Sequence, residues 1–301
     1  MLPLYLEKLN PNELQQRADV LKKMLEECRL CPNECAVNRI DGETGNCNST
    51  DEVIISSYGP HFGEEPELVG LYGSGTIFFT NCNLSCIYCQ NYDISQLGIG
   101  KKISIEELSD TMISLQRRGC HNINLVTPTH FVPQIVQALI IAVEKGLEIP
   151  LVYNCGGYES VETLKLLENI INIYMPDIKY SDNEVASRLS GIKNYWNIVR
   201  AAVKEMHRQV GDLHIDRKGI AKRGLLIRHL VLPDNLAGSE KVLDFVADEI
   251  SKNTYINIMD QYHPAYKAND YPGLNRTIKS DEYQKVLDYA MLKGLHRGFY
   301  K

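Results

Sequence analysis

From Gly75 onward, short apolar runs rich in β-branched and aromatic residues alternate with longer stretches in which apolar positions recur at helical spacing. The runs predict strands at 76–80, 122–127, 149–153, 171–175, 225–230 and 255–259. Helical periods fall between and after them at 104–118, 132–145, 160–167, 182–209, 239–251 and 280–293. Ser104 with Glu107 three residues on is a capping-box pattern, placing a helix start where the period begins. Strand and helix in strict alternation make βαβ units on a parallel sheet. Six such units fall short of the eight of a closed barrel, so the expected fold is α/β, a partial (β/α)6 TIM-like barrel. Polar, turn-prone segments follow nearly every strand, and in such sheets ligands bind at the C-terminal strand ends.

Ahead of the barrel, residues 13–27 have helical period, and the stretch from Cys28 to Cys47 is rich in turn residues. Residues 1–70 are therefore expected to be a helix and cysteine-bearing appendage with a connecting segment, and 71–301 the barrel domain. The chain carries no internal repeat and no low-complexity segment.

Composition narrows the function classes. At 301 residues, 44% hydrophobic and 23% charged, the chain can bury a sizeable core. A net charge of −6 with no long Lys/Arg run argues against nucleic acid or an anionic membrane as partner. No apolar run approaches the roughly 20 residues of a membrane span, and the start, Met1-Leu-Pro-Leu-Tyr5, lacks signal-peptide features, so a cytoplasmic location is expected. Seven of the 9 cysteines sit in two tight clusters, a pattern that favours metal over disulfide. Cys120 and Cys155, near strands, read as ordinary buried thiols.

The decisive segment is Cys82-Asn-Leu-Ser-Cys86-Ile-Tyr-Cys89, a loop leaving the first barrel strand. Three thiolates on one loop can hold three corners of an iron–sulfur cube and leave its fourth iron open to a ligand. This Cys-x₃-Cys-x₂-Cys loop resembles the defining motif of the radical S-adenosylmethionine (SAM) superfamily. The resemblance implies a [4Fe–4S] cluster whose open iron is chelated by SAM. It further implies an electron donor such as flavodoxin or ferredoxin, reductive cleavage of SAM to a 5′-deoxyadenosyl radical, and hydrogen abstraction from a substrate.

The same resemblance implies a SAM pocket assembled from successive strand ends. Tyr88 matches the family's aromatic position against the adenine. Where relatives carry a Gly-Gly-Glu-like motif this chain reads Val126-Thr-Pro-Thr-His130, so Thr127, Thr129 and His130 stand in for the missing carboxylate. Asn154 corresponds to the turn after the third strand. Asp177 and Lys179 match the Asp-x-Lys motif of glycyl-radical activating enzymes, two residues apart and so on one strand face. Arg228 and Val231 lie in a segment similar to the one that packs an apolar edge on adenine, Arg228 reaching for the SAM carboxylate. His263 follows the sixth strand where relatives place a histidine near SAM.

A second constellation precedes the barrel. Cys28, Cys31, Cys35 and Cys47, with glycines between the last two, have knuckle-like spacing. Four thiols suit either a tetrahedral zinc site or a second iron–sulfur cluster, and the residues leave that choice open.

Over nearly its whole length the chain resembles homologues of pyruvate formate-lyase activating enzyme. That implies an activating-type enzyme acting on a glycyl radical enzyme as partner. Direct radical modification of a small molecule or peptide is the rival, with His61-Phe-Gly-Glu-Glu-Pro66 lining the substrate mouth. A non-catalytic iron–sulfur electron carrier is the remote alternative.

Overall fold

The protein is described by a computed structural model covering residues 2–299; Met1, Tyr300 and Lys301, which the expected domain ranges include, lie outside it. Nine strands form its sheets: β1 (Val53–His61), β2 (Ser74–Phe79), β3 (Lys101–Ile103), β4 (Ile123–Val126), β5 (Leu151–Cys155), β6 (Ile173–Pro176), β7 (His214–Ile215), β8 (Ala221–Leu230) and β9 (Tyr255–Met259). Six of them, β2-β4-β5-β6-β8-β9, run parallel in that order, the mixed α/β partial barrel expected. The Ser104 capping box is formed, with helix Ile105–Arg117 behind it.

The alternation of the strands sorts their side chains into two cores. Leu125, Tyr153, Leu225, Ile227 and Ile256 face outward onto the helices and belong to the large core. Val152, Ile173, Met175 and Leu226 alternate with these and face the concave side, where they enclose Leu68. Leu68 sits on a short helix, Pro66–Val69, that plugs this concave interior from below. The segment leading into that helix is thereby aimed up the barrel toward the strand ends.

One strand is added and two helix expectations are corrected. Residues 53–61, ahead of the first expected strand, form β1, antiparallel to β2. The helix predicted over 182–209 is two, Asn183–Ser190 and Tyr195–Val210, because Gly191 and Asn194 take left-handed conformations with φ 68° and 55°. The helix predicted over 239–251 is α-helical only over Ser239–Phe245 and continues as a π turn. The lead-in helix spans Pro11–Lys23, is capped by Asn10, and lays Leu14, Ala18 and Leu21 into the main core. No helix among the described residues is long and apolar enough to cross a membrane.

Candidate cluster and cofactor site

The three-cysteine loop leaves β2 and is pinned by backbone bonds from Ser85 to Ser190 and from Ile87 to Leu189, both 2.9 Å. Cys86 Sγ lies 2.9 Å from Ser190 Oγ, Cys89 Sγ lies 3.1 Å from Ser95 Oγ, and the Leu84 N–H donates to Cys82 Sγ at 3.4 Å. Burial pushes the Cys82 and Cys86 thiols up, and the nearby Lys179 ammonium opposes it. A thiolate is what a metal takes from this loop, so the cation on the next wall suits metal binding. All nine cysteines are free.

Beside the loop stands a charge network built from the ends of β5, β6 and β8 and the segment that follows β1. Arg228 donates from Nε to Asp177 Oδ1 at 2.8 Å, from Nη2 to Asn154 Oδ1 at 2.7 Å, and from Nη1 to Glu64 Oε2 at 3.2 Å. Lys179 Nζ donates to the other Asp177 oxygen at 2.8 Å. Burial drives the Asp177 pKa up, but Arg228 and Lys179 together outweigh it and hold the carboxyl at about 2. Glu64 is raised by burial, with Arg228 in opposition. The two carboxylates and two cations are mostly buried and compensate each other.

A cavity of about 240 Å³ opens over this network, lined by Cys86, Tyr88, Cys89, Asp177, Lys179 and Arg228 among others. Tyr88 forms its aromatic wall, held edge-on by Tyr180 and Tyr262 at centroid distances of 6.3 and 5.9 Å. Thiolate donors, an aromatic face and a zwitterionic wall suit an iron–sulfur cube and a charged sulfonium amino acid. Among the described residues no group of three or more His, Cys, Asp and Glu side chains is arranged to hold a single metal ion. A cube places a different demand, one thiolate at each of several separate irons.

The structure thus brings Cys86, Cys89, Tyr88, Asn154, Asp177, Lys179 and Arg228 together. His263 is exposed but near, its Nδ1 3.2 Å from Gln90 Nε2 on the cysteine loop. Thr127 holds φ 57° and donates its backbone N–H to the Asn154 carbonyl at 2.8 Å, bracing the pocket's floor through its main chain. Val231 does not line this pocket; it lines a neighbouring cavity of about 250 Å³ with Leu232 and Val286, because the chain turns after Leu230. Thr129 and His130 do not line this pocket either. The 3-10 turn Thr129–Phe131 carries both side chains inward, Thr129 onto Glu159 Oε1 at 2.7 Å and His130 onto the Thr80 carbonyl at 2.8 Å. Glu64 was expected only as part of the segment at the substrate mouth, and its pairing with Arg228 was missed. Its signal was the paired acids of His61-Phe-Gly-Glu-Glu-Pro66, but nothing local showed that the Leu68 plug would aim them inward.

The four N-terminal cysteines also meet. Cys28, Cys31, Cys35 and Cys47 line one narrow cavity together with Arg39 and His130. Cys28, Cys31, Cys47 and Arg39 are buried, in a stretch that forms neither helix nor strand.

These features belong to a known class: the chain belongs to the radical SAM superfamily, whose family model matches residues 76–216. It is 34% identical to the uncharacterized protein MJ0674 of Methanocaldococcus jannaschii over 95% of this chain and 80% of that one. A second protein of that organism, MJ0808, is 24% identical over 89% of this chain and 76% of the relative. Among solved structures, SuiB of Streptococcus suis, determined bound to its precursor peptide SuiA, is similar in fold at 13% identity and a TM-score of 0.50. The match covers 73% of this chain and 46% of SuiB, so the chain spans about half the length of that protein. The family implies a [4Fe–4S] cluster and SAM as cofactors.

Proposed function

We propose that Cys82, Cys86 and Cys89 hold the family's [4Fe–4S] cluster, and that the chain acts as a glycyl-radical activating-type enzyme, directing hydrogen abstraction at a glycine Cα of a partner protein. The observation that carries this reading is the Asp177–Lys179 pair at the end of β6, facing the same cavity as Cys86 and Cys89. When bound, the cluster supplies the low-potential electron that opens the SAM sulfonium.

The chain's own residues bind and orient. Lys179 and Arg228 present cationic donors to a carboxylate, and Asp177 and Glu64 present acceptors to an ammonium, so an amino-acid zwitterion meets complementary charge in one orientation. Tyr88, Leu230 and Met259 supply the apolar wall that excludes water from the reacting centre.

The rival reading, direct modification of a small molecule or peptide, draws on Glu64. The segment 61–66 puts this carboxylate against Arg228, an acidic group available to a cationic substrate. Reduced, reconstituted protein incubated with SAM should release 5′-deoxyadenosine, and its absence would sink both readings. Deuterium from an α-deuterated glycine in a glycyl-radical partner should then appear in that product. If deoxyadenosine forms but deuterium never enters it, the activating reading fails and the modifier stands.

A further inference from the structure

The N-terminal knuckle touches the three-cysteine loop on both sides of Cys82. Asn33, between Cys31 and Cys35, donates from Nδ2 to the Asn83 carbonyl at 2.9 Å. Asn81 Nδ2 donates to the Asn48 carbonyl at 3.1 Å and lies 3.0 Å from Ser49 Oγ, just past Cys47. Thr80, one residue further back, receives the His130 Nε2–H. That bond fixes the proton on Nε2 and leaves Nδ1 as a bare lone pair. Nδ1 is buried with no protein partner, in a ring that lines the four-cysteine cavity.

The knuckle's backbone is costly as it stands. Glu34 and Ala36 on either side of Cys35, and Asn48 after Cys47, all hold positive φ, 40°, 55° and 51°. Residues 29–52 contain no helix or strand to offset this, although three of their neighbouring thiols are buried. Donors already point at the sulfurs: the Asn46 N–H at Cys35 Sγ, 3.3 Å, and Arg39 Nη1 at Cys28 Sγ, 4.0 Å. A Cβ on Gly45 would stand 2.6 Å from Cys35 Sγ, so the turn closes over that thiol only because the residue is glycine.

We propose that Cys28, Cys31, Cys35 and Cys47 bind a second thiolate-held centre, an iron–sulfur cluster walled by Arg39 and His130, and that this centre positions Cys82 by gripping Asn81 and Asn83. Metal–thiolate bonds supply the folding energy that this irregular segment lacks. The hydrogen bonds through Asn33 and Asn81 carry that order to the loop, as outer-shell partners do elsewhere. The first half of the inference is independent of the function proposed above; the second half rests on the Cys82, Cys86 and Cys89 cluster.

The full-length protein with Cys82, Cys86 and Cys89 all changed to alanine, prepared without oxygen, tests the first half. It should retain about one centre's worth of metal. Iron with acid-labile sulfide identifies a cluster and supports the centre, and zinc alone overturns it. Protein free of both metals overturns it, whatever the fate of the first cluster. Asn33→Ala and Asn81→Ala, which leave every thiol in place, test the second half. The three-cysteine cluster, followed by its electron paramagnetic resonance signal during chelator challenge, should be lost about 10-fold faster in each. Wild-type retention in both variants would overturn the coupling.

Discussion

Arg228 on β8 donates to Asp177 at the end of β6 at 2.8 Å, joining two strand ends that are 51 residues apart in the chain. The guanidinium simultaneously satisfies Asn154 and Glu64, so one side chain closes the charge balance of the cavity floor. Arg228→Ala leaves Glu64 buried without its cation and Asp177 with Lys179 alone. The expected loss is about 3–5 kcal/mol, the usual effect of removing one partner of a buried ion pair. Urea unfolding checks it, and SAM binding by equilibrium dialysis should weaken in parallel. Arg228→Lys keeps the charge but not the fork of donors, and should fall between wild type and alanine.

Asp177 gives a second expectation, from pH. Its folded-state pKa, about 2, lies below the ordinary 3.8, so the folded state holds the carboxylate more tightly than the unfolded chain does. The contribution is present above pH 4 and disappears as pH falls from 4 toward 2, amounting to about 2 kcal/mol. Asp177→Asn should remove this part of the acid-side slope, read from urea midpoints between pH 2.5 and 5.

Glu159 should show the opposite sign. Burial raises it to about 7 from 4.5, although Thr129 and Tyr153 hydroxyls hydrogen-bond it at 2.7 and 3.0 Å. A raised carboxyl pKa means that the folded state takes up the proton first. Its contribution is therefore present below pH 4.5 and is lost as pH rises through 7, to the extent of about 3 kcal/mol. Glu159→Gln, neutral throughout, should be less sensitive than wild type to a change from pH 5 to pH 8 in the same assay.

The balance between what was legible and what was not follows from the range of the interactions. The six parallel strands were readable because burial on both faces makes them near-continuous apolar runs. β1 was not, since only Val53 and Ile55 of it are buried, Pro60 interrupts it, and its order comes from antiparallel pairing with β2 on one side and β3 on the other. The three-cysteine motif and the Asp177–Lys179 pair are local patterns and were legible. Glu64 reaches the site only through the Leu68 plug, and His130 leaves it through a 3-10 turn, neither of which has a local signature. The contacts of Asn33 with Asn83 and of Asn48 with Asn81 span the two cysteine clusters, which sequence spacing showed only as separate groups.

Gly157 tests whether the backbone beneath the charge network is as constrained as the side chains. It holds φ +74°, and a Cβ there would stand 2.7 Å from the Asp177 carbonyl and 2.8 Å from Val199 Cγ2. That carbonyl is not free to yield, since it accepts from Tyr195 Oη at 3.1 Å while the same hydroxyl accepts from the Lys179 N–H at 2.8 Å. Gly157→Ala combines left-handed strain with a clash against fixed main chain, so a loss of about 2–4 kcal/mol is expected. Because the displaced atom belongs to Asp177, SAM affinity should fall as well. Gly156→Ala is the control: φ there is not in the left-handed region, and its Cβ would meet the terminal Cδ1 of the Leu84 side chain rather than main chain. If the two substitutions cost the same stability and the same affinity, the Asp177 main chain is not the constraint that orients the network.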